Sequence, residues 1–145
     1  MKTVFTTFFI LLIILSSCST SETAEKTNKE GEKVVIKYFE SWDHQDYGSM
    51  YSLISDGFKA LEPTASTLDA FTTYAQSQGI SNVNIISVKQ VLGNENEATV
   101  DYNIEFIIGE KIIPFSGTFT VKYKPNDTQP GWKLIHPYGE HIDTS

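Results

Sequence analysis

The sequence predicts an α+β domain in which N-terminal helices pack on a curved, mostly antiparallel four-stranded sheet. Three observations carry this. Between residues 32 and 79, apolar side chains recur at helical spacing. From Val83 onward they alternate with polar ones, the period of half-buried strands. Short turn signals rich in Gly and Asn separate the alternating runs, so neighbouring strands join as hairpins. Helices grouped first and strands grouped after are the α+β arrangement. A length of 145 residues suits one such domain.

The first 31 residues stand outside the predicted fold. Lys2 precedes an apolar stretch from Val4 to Leu15, interrupted only by Thr6 and Thr7. Roughly 20 apolar residues are needed to span a bilayer, so this stretch matches the core of a signal peptide instead. Leu15-Ser16-Ser17-Cys18 follows and resembles a bacterial lipobox. The thiol of Cys18 would be thioether-linked to diacylglycerol, with cleavage just before it, and small side chains at Ser16 and Ser17 suit the peptidase. The expected layout is a signal peptide at 1–17 and a flexible tether at 18–31 carrying lipidated Cys18. The domain then spans 32–142, with a tail at 143–145. The tether has no aromatic or large aliphatic residue and a typical reach of about 20 Å.

Within the domain, Val34, Val35, Tyr38, Phe39 and Trp42 form one face of a first helix over roughly Glu32 to His44. Tyr47, Met50, Tyr51, Ile54 and Phe58 predict a second short helix, with Gly57 near its end. Ser66 to Asp69 reads as a capping box, Ser66 at the N-cap and Asp69 at the third position. Leu68, Phe71, Tyr74 and Ala75 make the stripe of a third helix, which Gly79 stops. Val83–Val91 and Ala98–Ile108 are the first two strands, joined at Gly93–Asn96. In the second, Val100, Tyr102, Ile104 and Phe106 take one face, and Thr99, Asp101, Asn103 and Glu105 the other. A turn at Ile108–Lys111 leads to a third strand with Phe115, Gly117, Phe119, Val121 and Tyr123 in phase. Trp132–His136 is a short last strand.

Charge and composition exclude several functions. The formal charge is −7. That argues against a nucleic-acid binder and against electrostatic adhesion to an anionic membrane. With Cys18 the lone cysteine, neither an intrachain disulfide nor a cysteine-rich zinc site can form. No phosphate-binding glycine loop is present.

Val35–Trp42 (Val-Ile-Lys-Tyr-Phe-Glu-Ser-Trp) followed by Asp46–Leu53 resembles the opening of nuclear-transport-factor-2-like (cystatin-like) domains. Phe71–Tyr74, Gln78-Gly79-Ile80 and Gly131–Leu134 narrow the likeness. They resemble the N-terminal, non-catalytic domain of methicillin-resistance-type penicillin-binding transpeptidases. The resemblance implies helices packed against a sheet that encloses a cone. It also implies a spacer and docking role. This sequence has no Ser-x-x-Lys, Ser-x-Asn or Lys-Thr-Gly, so transpeptidase or β-lactamase activity is not expected.

The candidates for chemistry are few. His136, Glu140, His141 and Asp143 cluster at the C-terminus across a proline and a glycine, and read as a solvated tail. Asp101, Asn103 and Glu105 lie in a row about 7 Å apart on one strand face, which suits a wet sheet surface better than a calcium site. No metal or cofactor is expected. Of the three histidines only His136 has inward phase, in step with Trp132 and Leu134, and it lacks an inward carboxylate partner. The aromatic residues Tyr38, Trp42, Tyr51, Tyr74, Tyr102, Phe115 and Trp132 fall in core phase. Trp42, Tyr51, Tyr74, Tyr102 and His136 are the candidate binding residues, since Tyr and Trp carry polar tips that seek partners when buried. The expected role is a lipid-anchored, extracytoplasmic, non-catalytic binding or scaffolding module on a Gram-positive membrane. Its partner would be an envelope or peptidoglycan-synthesis protein. The alternatives are a binder of a small apolar ligand in the cone, or an isomerase- or dehydratase-type enzyme of the same fold.

Overall fold

The computed structural model describes residues 29–138. The signal peptide, Cys18, most of the tether and the residues after Tyr138 lie outside this range, as do Glu140, His141 and Asp143. Four α-helices come first: α1 (Glu30–Asp43), α2 (Tyr47–Ser52), α3 (Asp56–Leu61) and α4 (Leu68–Ser77). Four strands follow: β1 (Asn82–Gly93), β2 (Glu97–Ile108), β3 (Lys111–Lys124) and β4 (Gly131–Leu134). They form one antiparallel sheet in the order β1-β2-β3-β4.

The core lies between the helices and one sheet face. From α1 it takes Val35, Tyr38 and Phe39, and from the later helices Met50, Phe58 and Phe71. Val100, Ile104, Phe119, Val121 and Leu134 come from the sheet. Register sets this face: Ala98 pairs with Val121, Val100 with Phe119, Tyr102 with Gly117, Ile104 with Phe115 and Phe106 with Ile113. The opposite face is wet, as its polar alternation predicts. There Thr118 donates to Asp101 at 2.7 Å and Ser116 to Asn103 at 3.1 Å. Two bulges interrupt the edge strand β1, at Ile85/Ser87 and Gln90/Leu92.

Three boundary expectations are corrected. α1 begins at Glu30, so the last two tether residues are helical and Gly31 is buried. A Cβ on Gly31 would lie 2.5 Å from the Ala98 Cβ; the missing side chain lets the first helical turn rest on β2. The single second helix is two helices. Leu53–Ser55 leave helical geometry to run beside β4: Leu134 N–H donates to Leu53 O at 2.8 Å, and Ser55 N–H to Leu134 O at 3.0 Å. Ser55 then caps α3, its Oγ accepting from Phe58 N–H at 3.2 Å, and Gly57 lies inside that helix. A tertiary pairing thus overrides a continuous helical pattern. The cap of α4 is Thr67, whose hydroxyl accepts from Ala70 N–H at 3.1 Å. Ser66 instead donates to Pro63 O at the end of a 3-10 turn (Pro63–Ala65). Gly79 stops α4 with a φ of +66°.

Two further ties fix the end of the sheet near α3. Asp127 accepts from Asp56 N–H at 3.0 Å, while the Asp56 carboxylate accepts from Thr128 N–H. The two acids lace the β3–β4 loop to the start of α3. Lys133 is buried, and its ammonium donates to Ser52 O at the end of α2. Burial pushes its pKa down, and nearby Lys59 does so further.

Candidate functional site: an aromatic cavity

The C-terminal half of α1, the face of α4 and the inner face of β2 and β3 do not close on one another. They enclose an open cavity of about 320 Å³. α1 contributes Tyr38, Phe39 and Trp42 to its wall. Tyr74 comes from α4 and Gln78 from its C-cap, and Tyr102, Phe106, Ile108, Phe115 and Phe119 from the sheet. The chain after β4 closes one side with His136, Pro137 and Tyr138. Tyr138 is wedged between two helices: its ring centroid is 5.0 Å from Phe58 and 4.4 Å from Tyr74. That wedge is what draws His136 across the cavity.

The rings form a continuous track. Phe39 and Phe119 stack at 5.8 Å, and Phe119 meets Tyr102 at 4.5 Å. Tyr102 meets Phe115 at 6.2 Å, Phe115 meets Phe106 at 5.7 Å, and Phe106 meets Trp42 at 5.2 Å. Offset and edge-on aromatic pairs at these separations add to the burial energy of each ring. Tyr102 lies over its cross-strand partner Gly117; a Cβ there would stand 2.5 Å from the Tyr102 hydroxyl. The glycine in β3 is therefore the seat of the tyrosine ring.

Four phenols, of Tyr38, Tyr74, Tyr102 and Tyr138, supply polar tips to the lining. Burial raises the pKa of the Tyr38 phenol well above its usual value, and the neighbouring Tyr138, Tyr74 and Tyr102 reinforce this. Burial likewise raises Tyr102, Tyr74 and Tyr138, with Glu62 a smaller contributor for Tyr74. These four groups stay neutral phenols across the physiological range. Among the described residues, no lining side chain is a carboxylate, a lysine or an arginine.

Four of the five candidate residues meet here: Trp42, Tyr74, Tyr102 and His136. Tyr51 does not. Met50 takes the inward position of α2, so its neighbour Tyr51 turns toward α4, 5.7 Å from the Phe71 ring. Lys59 sits 4.3 Å above the Tyr51 ring, in a separate polar hollow shared with Asp56 and Thr128. Of the other core-phase aromatics, Tyr38 is buried as expected, whereas Phe115 is 49% exposed at the cavity rim. Sequence reasoning missed Phe106, Ile108 and Tyr138. Phe106 lies on the strand face already assigned inward, whereas Ile108, expected in the turn, is the last residue of β2 and pairs with Lys111. Tyr138 follows a proline beyond the last strand, where no periodicity applies.

No protein-family model matches the chain, and no curated protein matches it. Solved structures do. A SEC-C motif-containing protein from Psychrobacter arcticus is similar with a TM-score of 0.53 at 10% identity, over 78% of this chain and 62% of that one. Bd1075 from Bdellovibrio bacteriovorus matches with a TM-score of 0.53 at 12% identity, over 74% of this chain and 37% of its own. A protein from Streptomyces avermitilis, described as a dehydratase of the NTF2-like family, matches with a TM-score of 0.48 at 14% identity. It is matched over 73% of this chain and 88% of that one. The chain spans less than two thirds of the first two structures' lengths. At such identities the likeness concerns the fold alone.

Proposed function

We propose that this is a non-catalytic binding domain of the nuclear-transport-factor-2-like class that holds a small apolar ligand in its aromatic cavity. One observation carries the reading. The cavity is open, measures about 320 Å³ and is walled largely by aromatic rings. A sealed core would favour pure scaffolding. Ligand sites are commonly concave, mostly apolar and furnished with a few polar tips. The Tyr74, Tyr102 and Tyr138 hydroxyls and the His136 ring are the tips available here.

The domain is carried outside the cytoplasm on diacylglycerol at Cys18, a reading that rests on the Leu15–Cys18 sequence. Cys18→Ala releases the protein from the membrane fraction; unchanged retention would remove the anchor from this account. Binding is tested with 2-naphthol in a titration followed by amide NMR. Shifts confined to Trp42, Tyr102, Phe115 and their neighbours support the reading, and Gln78→Trp, which fills the mouth, abolishes them. Absence of shifts at millimolar 2-naphthol would exclude a cavity ligand of this kind.

A further inference from the structure

The apolar wall does not end at the cavity. Phe106, Ile108 and Phe115 line it, and their cross-strand neighbours extend the same face toward the β2–β3 turn. Ile113, paired with Phe106, is 41% exposed. The run ends at exposed Lys111, paired with Ile108 on that face beside the Gly109–Glu110 turn. From Phe119 at the cavity floor to Lys111 is eight residues of β3, about 26 Å at ~3.3 Å per residue. A compact ring system filling the cavity would leave this strip in water.

We infer that cavity and strip form one elongated site for a single-chain amphiphile, its apolar chain along Phe119, Phe115 and Ile113 and its anionic head at Lys111. This rests on the cavity-binding reading and narrows its ligand class. Three features select such an occupant. The strip of Phe106, Ile108, Ile113 and Phe115 carries no polar side chain, which suits a chain without polar groups along its length. A peptide would carry an amide at every residue, each costly to bury without a partner. The strip is a surface of side chains on the sheet face, so it supplies no backbone ladder for an added strand. Lys111, the one cation among the described residues on this sheet face, stands at the solvent end of the strip, where a carboxylate or phosphate head keeps its water.

The test uses the chain from residue 18 with Cys18→Ser, titrated with dodecanol, with 2-naphthol and with dodecanoate below its micelle concentration; a twelve-carbon chain headed at Lys111 covers the strip as far as Phe115 at the cavity rim, about 13 Å at ~3.3 Å per residue. Dodecanoate binding should fall at least tenfold in Ile113→Glu, with 2-naphthol affinity unchanged within twofold. Lys111→Glu should weaken dodecanoate severalfold and leave dodecanol unaffected. Both positions are exposed, and an unchanged melting temperature verifies the fold. If 2-naphthol binds and dodecanoate does not, or if neither variant affects dodecanoate, the elongated site is wrong while the cavity reading stands. If none of the three probes binds, both fall.

Discussion

The inner face of the sheet has two halves with the same sequence pattern and different fates. In one half, Ala98, Val100, Phe119 and Val121 are at most 5% exposed beneath the helices. In the other, Ile113 and Phe115 are 41% and 49% exposed. Lengths explain the difference. The longest helix, α1, has 14 residues and covers about 21 Å at ~1.5 Å per residue. β2 and β3 have 12 and 14 residues, about 40 to 46 Å at ~3.3 Å each. Strand alternation tells which face a side chain takes. Whether anything covers that face depends on the reach of the opposing layer.

Truncation separates the halves most sharply. Phe119 packs among Tyr38, Phe39 and Tyr102 in the covered half. Phe119→Ala should cost about 3 to 5 kcal/mol, read by urea denaturation, the range for a large core ring replaced by a methyl. A loss under ~1 kcal/mol would mean the covered half is as loosely held as the bare one.

At the boundary between the halves stands Gly117. Gly117→Ala puts a methyl group against the Tyr102 hydroxyl and ring, which is 92% buried and cannot swing freely. The expected loss is about 1 to 3 kcal/mol, typical of overpacking. The double variant Gly117→Ala/Tyr102→Phe should regain part of it, because the closest clash is with the hydroxyl. An absence of any recovery would locate the strain in the β3 backbone instead.

Much of this layout is legible in the residues. The helical stripe of Val34 to Trp42 and the alternation of Val100 to Phe106 gave correct faces because local period and tertiary packing agree there. They disagree at Leu53–Ser55, where pairing with Leu134 breaks a helix whose apolar spacing runs on unchanged. Tyr51 was misassigned with it, since a continuous helix would carry that side chain inward. The cavity itself is a gap between elements. No single segment's pattern encodes it, although Trp42, Tyr74, Tyr102 and His136 were each visible as polar-tipped or titratable groups in inward phase.

A smaller effect is expected where the covered half is laced shut. The Asp56 carboxyl is held below its ordinary range, chiefly by the Thr128 backbone N–H. A depressed carboxyl stabilises the fold above the unfolded value of about 3.9, and the contribution is lost as pH falls through the folded one. Asp56→Asn should therefore cost about 1 kcal/mol at neutral pH, the worth of one hydrogen bond. The gap from the parent protein should narrow in acid. Melting curves at pH 7 and pH 3 test this; a gap that widens in acid would reverse the sign.

The smallest stability effect belongs to the bare half, and it is the one that gives the comparison its functional meaning. Phe115 touches Tyr102 and Phe106 but leaves about half of its surface in water. Phe115→Ala should cost under about 1 kcal/mol, well short of the loss at a buried ring. The same change removes a central link from the aromatic track, so ligand affinity should drop by tenfold or more. Phe119→Ala should lower affinity as well, since Phe119 floors the cavity, but with a far larger cost to the fold. A Phe115 variant as destabilised as the Phe119 variant would show the rim to be ordinary core, and its exposure would no longer need a ligand to explain it.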